Sequence, residues 1–396
     1  MRRWIGPGIL VAVGYMDPGN WATGIEAGSG YGYVLGWVIL LSSASAMLLQ
    51  VAAARLGLFS GHDLIGLGYL LLGQRVGKIL ALTALLAVMA TDLAEVLGFA
   101  LALRLLFKIP LEAGAVLALI ETVLVLSWTA RRPHLLEKLV GILTFAVIGI
   151  FIYELIELKP SWKAVFQGFL PSGEILHDRE ALYLALGLIG ATIMPHNLYL
   201  HSAWVQGRFF GEPAAQARLT ARDTAWSLSL AFFVNASLLI TAAALCQAPD
   251  PLRRWGIEQA YVLFEPVAGP FAASAFAIAL LFSGHNATLT TTLTGQIVLG
   301  YLLPTQISAF WRGLLLRSLS LFPALAALFL WGERHLSAML VFSQVFLSLQ
   351  LPFVLLPMLY FFVKVKRAAF GHVGQGLTWL ISLTVVALNL YLLLSG

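Results

Sequence analysis

Charged side chains are scarce in this chain: Asp, Glu, Lys and Arg make up only 11% of its 396 residues, whereas 60% are hydrophobic, and the mean hydropathy is +0.88. So apolar a composition excludes a soluble globular domain, in which about a quarter of the residues are charged. The single cysteine, Cys246, excludes an intramolecular disulfide and a cysteine-based metal cluster. No H-E-x-x-H pattern is present, which argues against a membrane metal-hydrolase.

Long apolar runs fill most of the chain. A helix that crosses a bilayer needs about 20 mostly apolar residues, and about eleven such stretches are visible. They are centred near Gly14, Leu40, Ala90, Leu119, Phe145, Ala191, Leu230, Leu281, Leu321, Phe346 and Ala387. The first run lacks a convincing cleavage site and is taken as a mature span. Only short connections remain, so residues 1–396 are expected to form one all-α, polytopic transmembrane domain.

The net charge of +5 does not indicate nucleic-acid binding, because the basic residues alternate between successive loops. Arg317 lies deep in a span, fifteen other basic residues lie in one set of connections, and eight lie on the opposite side. Those eight are Arg104, Lys108, Lys159, Lys163, Arg179, Arg253, Arg254 and Arg334. The positive-inside rule then places the N-terminus in the cytoplasm, and an odd number of spans places the C-terminus outside.

Two apolar spans are interrupted by matching polar motifs, Asp17-Pro18-Gly19-Asn20 in span one and Met194-Pro195-His196-Asn197 in span six. Lipid tolerates broken backbone only where protein buries it or where it lines a cavity, and paired interruptions indicate a transporter's substrate site. Spans one to five and six to ten are therefore predicted to form two inverted five-helix repeats, about 1–160 and 178–367. An additional eleventh helix covers about 374–396, and an irregular connection about 157–180 separates the repeats.

The first break offers oxygen ligands for a cation. Pro18 and Gly19 are expected to unwind the span and expose the carbonyl of Gly14 beside the carboxylate of Asp17. Asn20 adds an amide oxygen. The alternative is a kinked helix with Asp17 as its N-cap. An ionisable residue inside a membrane span, however, usually indicates a functional site.

The second break adds a soft ligand. A methionine in an apolar helix usually packs or faces lipid, but Met194 directly precedes a helix-breaking proline, in the position that Asp17 holds in the first repeat. A thioether suits transition metals, whereas Mg²⁺ and Ca²⁺ prefer oxygen. Asp17, Asn20, Met194 and backbone carbonyls therefore predict a site that favours Mn, Fe, Co or Cd.

Titratable side chains near the breaks suggest coupling to protons. Asp92 and Glu95 share one face of span three, and His196 and His201 lie near the second break. Arg317 is expected to pair with a carboxylate, either as a structural ion pair or as the end of a proton route. Packing pairs or local hydrogen bonds are the alternatives for these residues, and no partner is predicted for Glu121.

The chain resembles the Nramp family (natural resistance-associated macrophage proteins), proton-coupled importers of divalent transition metals, over nearly its whole length. The resemblance rests on three segments, Met16–Asn20, Gly190–Ser202 and Ser343–Phe353. It implies a LeuT-like fold with discontinuous helices 1 and 6. It also implies a metal site and a proton pathway. The implied metal ligands are Asp17, Asn20, the Ala191 carbonyl and Met194, with the Gly14 carbonyl and the Gln344 amide in some states. The implied proton residues are Asp17, Asp92, Glu95, His196, His201 and Arg317.

Three positions depart from the family pattern. His285 stands where a glutamine is more common, Leu299-Gly300 replaces a frequent Met-Glu, and Arg312 stands alone at the start of span nine, where two arginines are frequent. These changes do not affect the predicted metal ligands, but they concern gating and proton exit.

The sequence thus predicts a secondary transporter, not an enzyme, that imports Mn²⁺ or Fe²⁺, and also Cd²⁺ or Co²⁺, together with protons across the cell membrane by alternating access. It is expected to be monomeric, to lie in a lipid bilayer and to need no cofactor. The alternatives are a Na-coupled amino-acid transporter of the same fold and a Mg²⁺-transporting relative.

Overall fold

The computed structural model describes residues 7–131, 133–173, 177–206, 212–246, 254–303, 306–365 and 371–394, and within these ranges the regular structure is helical. Several basic residues that predict the orientation lie outside the described residues: Arg2, Arg3, Arg132, Arg208, Arg253, Lys366 and Arg367. The orientation of the termini therefore stays a prediction.

Fifteen α-helices follow one another along the described chain. They are α1 (Pro7–Gly14), α2 (Pro18–Tyr31), α3 (Gly36–Ser60), α4 (Leu64–Phe107), α5 (Leu111–Arg131), α6 (Pro133–Leu158), α7 (Trp162–Gly168), α8 (Arg179–Ile193), α9 (Pro195–Trp204), α10 (Pro213–Leu245), α11 (Ile257–Ala268), α12 (Pro270–Leu302), α13 (Ala309–Trp331), α14 (Leu336–Lys364) and α15 (Gly371–Leu394). A short 3₁₀ turn, Glu333–His335, precedes α14.

Nine helical stretches within the described residues are long and apolar enough to cross a membrane, and α8 and α9 together form one of them. The other two expected spans correspond to the broken pair α1 and α2 and to α5. The chain is therefore a multi-pass membrane protein. The connection expected to be irregular contains one short helix, α7, which the sequence analysis did not predict.

Helix α4 is long because it combines a short segment with a membrane span. Gly73 separates the two. Its φ of 85° and ψ of 171° are backbone angles that a residue with a side chain adopts only with strain. The span that follows Gly73 packs against the first break: a Cβ atom at Gly98 would overlap the ring of Pro18. Close approach through small residues is how helices associate in lipid, where burial of apolar surface supplies little driving force. The first break is thus held against α4.

Candidate metal site

The first helix break lies between α1 and α2. Asp17 adopts an extended conformation and caps α2: its Oδ1 accepts a hydrogen bond from the backbone N–H of Asn20 at 2.8 Å. Pro18, the first residue of α2, has no N–H to satisfy, so the helix begins there at little cost. The capping role considered from the sequence is therefore present. It uses only one of the two carboxylate oxygens.

The second break separates α8 from α9, and a proline again begins the second helix. Met194 lies between them with φ 43° and ψ 95°, and Pro195 begins α9. A positive φ is uncommon for a residue with a side chain and marks a constrained position. The Met194 side chain is fully buried, and its Sδ lies 3.4 Å from Nδ2 of Asn197.

The side chain of Asn20 joins the two breaks. Nδ2 of Asn20 donates to Oδ1 of Asp17 at 2.8 Å and to the carbonyl of Ala191 at 3.0 Å. The second oxygen of Asp17, Oδ2, is buried and has no hydrogen-bond partner among the described residues. An unpaired buried carboxylate oxygen is costly unless something positive compensates it. This oxygen is the strongest candidate for a cation ligand.

The two remaining predicted ligands lie close to the first break. A Cβ atom at Gly14 would meet the side chain of Asn197, and one at Gly19 would overlap the amide group of Gln344. Nε2 of Gln344 donates to Oγ of Ser343 at 2.9 Å, whereas its Oε1 is buried without a partner in the described structure. Gln344 therefore presents a free amide oxygen beside α2.

Three of the predicted proton residues form one buried cluster. Arg317 of α13 pairs with Asp92 of α4, and its Nη1 lies 3.5 Å from Oε2 of Glu95. Glu95 also accepts a hydrogen bond from the hydroxyl of Thr291 on α12. All three charged side chains are at most 1% exposed. The expected pairing of Arg317 with a carboxylate is thus present.

The two histidines of α9 are not part of that cluster. His196 Nδ1 lies 3.0 Å from the hydroxyl of Thr91, the residue before Asp92. His201 Nδ1 lies 2.9 Å from Oε1 of Gln50. Because an amide oxygen only accepts, Nδ1 of His201 is the donor. His196 is therefore adjacent to the charged cluster, whereas His201 belongs to a separate chain of hydrogen bonds.

That separate chain leads back to the second break. Nε2 of Gln50 donates to the Tyr15 hydroxyl at 2.7 Å, and the hydroxyl lies 3.4 Å from the carbonyl of Ile193, the last residue of α8. Sequence reasoning missed Gln50 and Tyr15. A lone glutamine in the apolar span α3 was the available signal.

The sequence predicted no partner for Glu121, and for His285 it predicted a local hydrogen bond or a role as an extra titrating group; the partner of His285 is instead Glu121, 164 positions away in the chain. Glu121 Oε2 lies 3.4 Å from Nη2 of Arg317, and Glu121 Oε1 lies 2.7 Å from Nδ1 of His285. Each is an ionisable residue in an otherwise apolar span, which is a functional signal by itself. Their pairing was not predictable, because they lie on α5 and α12, far apart in the chain.

Fold and site together define a multi-pass membrane protein with two broken helices around a buried polar centre, which is the arrangement of secondary transporters with a LeuT-like fold. MhsT, solved in complex with L-phenylalanine, shares this fold with a TM-score of 0.68 at 15% identity, over 100% of this chain and 99% of that one. At that identity the likeness shows the fold alone, and it confirms the fold class expected from the sequence.

Much closer relatives share its sequence. The family model described as "Natural resistance-associated macrophage protein-like" (Nramp) matches residues 8–395. The "Divalent metal cation transporter MntH 1" of Pseudomonas aeruginosa is 45% identical over 91% of this chain and 83% of its own length. A manganese transporter of Eremococcus coleocola has a TM-score of 0.85 at 34% identity, over 98% of this chain and 85% of that one. The chain belongs to the Nramp family, as its motifs indicated.

Proposed function

We propose that this protein is a secondary transporter that imports divalent transition-metal ions, Mn²⁺ or Fe²⁺ and also Cd²⁺ and Co²⁺, together with protons. The observation that carries the proposal is the junction of the two helix breaks through Asn20, with the fully buried Asp17 and Met194 at their centres. Membership of the Nramp family and the names of the relatives support the same function.

The donor atoms favour a transition metal as the transported substrate. Asp17 Oδ2 supplies one negative charge, the Ala191 carbonyl and Asn20 supply neutral oxygen, and Met194 supplies a thioether. Carboxylate and carbonyl oxygens alone suit Mg²⁺ and Ca²⁺, so the sulfur is what shifts the preference. The free Oε1 of Gln344 and the Gly14 carbonyl are proposed to join the site in some conformations.

The proton pathway is proposed to include Asp17, Asp92, Glu95, His196, His201 and Arg317, of which Arg317 contributes its charge and transfers no proton. A metal dication that enters a buried site brings two positive charges, and release of protons from nearby carboxyl groups offsets them. The Arg317 cluster supports this role because Asp92 and Glu95 both lie beside its guanidinium. Arg317 stays protonated throughout and acts as a fixed charge.

Alternating access is proposed to follow from reorientation of half-helices around the breaks. At one end of the bundle, Arg254 lies 2.8 Å from Glu180 and 3.8 Å from Glu26, and so links α8 to α2. This ion-pair group is proposed to close the outer side and to separate when the site opens outward. A small set of hinge residues and one releasable contact suffice for such a motion.

The remaining features are proposed from charge and composition. The protein is placed in the cell membrane as a monomer, with its N-terminus in the cytoplasm and its C-terminus outside. It carries metal as a substrate and needs no cofactor.

Two rival functions use the same fold. A Na-coupled amino-acid transporter would hold a substrate carboxylate at the half-helix ends, where an ionised Asp17 repels it. A Mg²⁺ transporter would gain nothing from the thioether of Met194, because Mg²⁺ prefers oxygen ligands. Isothermal titration with Mn²⁺, Mg²⁺ and amino acids separates the three: the proposal requires that Mn²⁺ bind more tightly than Mg²⁺ and that amino acids give no heat of binding.

Uptake by proteoliposomes tests the function directly. Asp17→Ala is expected to abolish Mn²⁺ and Cd²⁺ uptake, since the site loses its only charge. Glu265→Ala, which removes an exposed carboxylate of α11 outside the site, is the control and is expected to transport like the parent chain. Unchanged uptake in Asp17→Ala refutes the proposed site.

A further inference from the structure

The buried charge cluster continues past Arg317. Glu121 lies between Arg317 and His285, with one carboxylate oxygen 3.4 Å from the guanidinium and the other 2.7 Å from the imidazole. Glu121 lies near the middle of α5 and His285 near the middle of α12. The polar chain thus crosses from α4 through α13 to α5 and α12 at mid-membrane depth.

Exposure rises along this chain. The Asp92 and Arg317 side chains are 1% exposed, Glu121 is 10% exposed and His285 is 25% exposed. A charged group is least costly where it retains some access to polar surroundings. His285 is therefore the member of the chain that is most accessible from outside the cluster.

The cluster contains more acidic than basic side chains. Three carboxylates (Asp92, Glu95 and Glu121) face one guanidinium, so with His285 neutral and every carboxyl group ionised the net charge is −2. A buried group of that charge is strongly disfavoured. A proton on the Glu121–His285 pair lowers the excess, as does a proton on Asp92 or Glu95.

Other charged groups and histidines lie on the helices packed against α12 in the described structure. They are Glu26 on α2, Arg75, Lys78 and Arg104 on α4, Glu112 on α5, Lys138, Glu154 and Glu157 on α6, His196 and His201 on α9, Glu258 and Glu265 on α11, and Arg312 on α13. On α9, His196 contacts Thr91 of α4 at 3.0 Å. On α6, the buried Glu154 has no hydrogen-bond partner for either oxygen. On α11, Glu258 lies 3.6 Å from Arg104, and Glu265 is exposed. Within the described structure none of these groups forms a hydrogen bond or an ion pair with His285 or Glu121, so Arg317 is the charged group in direct contact with this pair.

We propose that Glu121 and His285 form a second proton-binding station, coupled through Arg317 to the Asp92–Glu95 pair. When a proton binds this station, Glu121 no longer competes for the guanidinium, and Arg317 then stabilises ionised Asp92 and Glu95. A proton that arrives at the station thereby promotes release of a proton from the inner pair. Arg317 itself transfers no proton. This inference rests on the proposed function, because it concerns the proton that accompanies the metal.

Two substitutions imitate the two states of the station. His285→Gln keeps a hydrogen-bond donor for Glu121 but removes the imidazole that accepts the proton, so it imitates the unprotonated state. Glu121→Gln removes the charge that competes for Arg317, so it fixes the protonated state. His335→Gln changes an exposed histidine that contacts only the Trp331 carbonyl among its recorded partners, and it serves as the control.

The experiment measures Mn²⁺ uptake and proton entry together in proteoliposomes between about pH 5.5 and 7.5, the range in which an ordinary histidine changes charge. We expect the parent chain and His335→Gln to share one pH profile. His285→Gln should resemble the parent's alkaline limit at every pH, and Glu121→Gln its acidic limit, each with at least about threefold less variation across the range. Mn²⁺ affinity by titration should stay within about twofold, because neither residue contacts the metal site.

Parent-like pH profiles and proton-to-metal ratios in both variants overturn the inference while leaving the proposed function intact. Identical losses in both variants also overturn it, because a merely structural role predicts no opposite limits. If the parent chain moves Mn²⁺ with no proton entry, proton coupling itself fails, and the inference fails with it. If one variant does not fold, the other alone decides, since each has its own expected limit.

Discussion

The side-chain amide of Asn20 donates at 3.0 Å to the carbonyl of Ala191, which lies 171 positions later in the chain. The same nitrogen donates to Asp17, so one residue of α2 connects the carboxylate of the first break with the last turn of α8 before the second. A shift of either half-helix must therefore change or break this contact. The two breaks therefore form one site, and a change at this site affects both halves of the fold.

Selectivity is expected to depend on the sulfur of Met194. Met194→Ala should retain Mn²⁺ transport better than Cd²⁺ transport, since Cd²⁺ gains more from a thioether. We expect the ratio of Cd²⁺ to Mn²⁺ affinity to fall by about tenfold, which corresponds to about 1.4 kcal/mol, and Ca²⁺ or Mg²⁺ to compete more strongly. Competition uptake assays measure this. Met358→Ala, which removes another fully buried methionine, is the control; unaltered selectivity in Met194→Ala refutes the role of the sulfur.

Close packing of α8 on α14 is expected to tolerate no added methyl group. A Cβ atom at Gly190 would overlap the Gln344 carbonyl and lie 2.6 Å from the backbone nitrogen of Ser348. Gly190→Ala should therefore cost about 1–3 kcal/mol of stability and disturb Gln344 beside the site. Thermal unfolding in detergent measures this loss. Gly149→Ala meets no neighbour within 4 Å and should leave stability equal or slightly raised; equal melting temperatures for both variants would contradict the packing argument.

The contact between Tyr31 and Asp178 at the N-terminal end of α8 is expected to make the stability of the fold depend on pH. The Tyr31 hydroxyl donates to Oδ2 of Asp178 at 2.6 Å and chiefly causes the pKa of that carboxyl group to lie below its usual range. A carboxyl group whose pKa is lower in the folded state than in the unfolded state stabilises the fold at pH values above the unfolded pKa of about 3.9. This stabilisation is lost as the pH falls through the folded-state pKa.

Tyr31→Phe should therefore lower the melting temperature by roughly 1–3 °C near pH 6, and the difference should shrink below about pH 4. Melting curves from pH 3 to 7 measure it, with Tyr33→Phe as the control because it leaves the Asp178 contact in place. A difference that is constant across this range would show that the carboxyl group is not responsible.

The sequence predicted most of the fold because bilayer chemistry simplifies it. Apolar runs give the spans, and two prolines beside polar residues give the breaks at Asp17 and Met194. It did not predict α7, a short helix in a polar connection where local propensity is weak. The sequence also did not predict that a short helical segment precedes the membrane span of α4. The two meet at Gly73, and a glycine with positive φ is compatible with many kinds of turn.

The site was predictable only where its chemistry is local in the chain. Asp17 and Asn20 are three residues apart, so their contact follows from the break itself. The pairing of Glu121 with His285, and the link from His201 through Gln50 to Tyr15, join different helices. Such contacts depend on the rotation and depth of each helix, which packing decides and a single sequence does not encode in any short pattern.

Anomalous scattering from crystals soaked in Mn²⁺ tests the central claim most directly. The account predicts one strong peak between the two breaks, within coordination distance of Asp17 and Met194, and its loss in matched Asp17→Asn crystals. A peak on the Asp92–Glu95 pair instead, or a peak between the breaks that survives Asp17→Asn at full height, would contradict it.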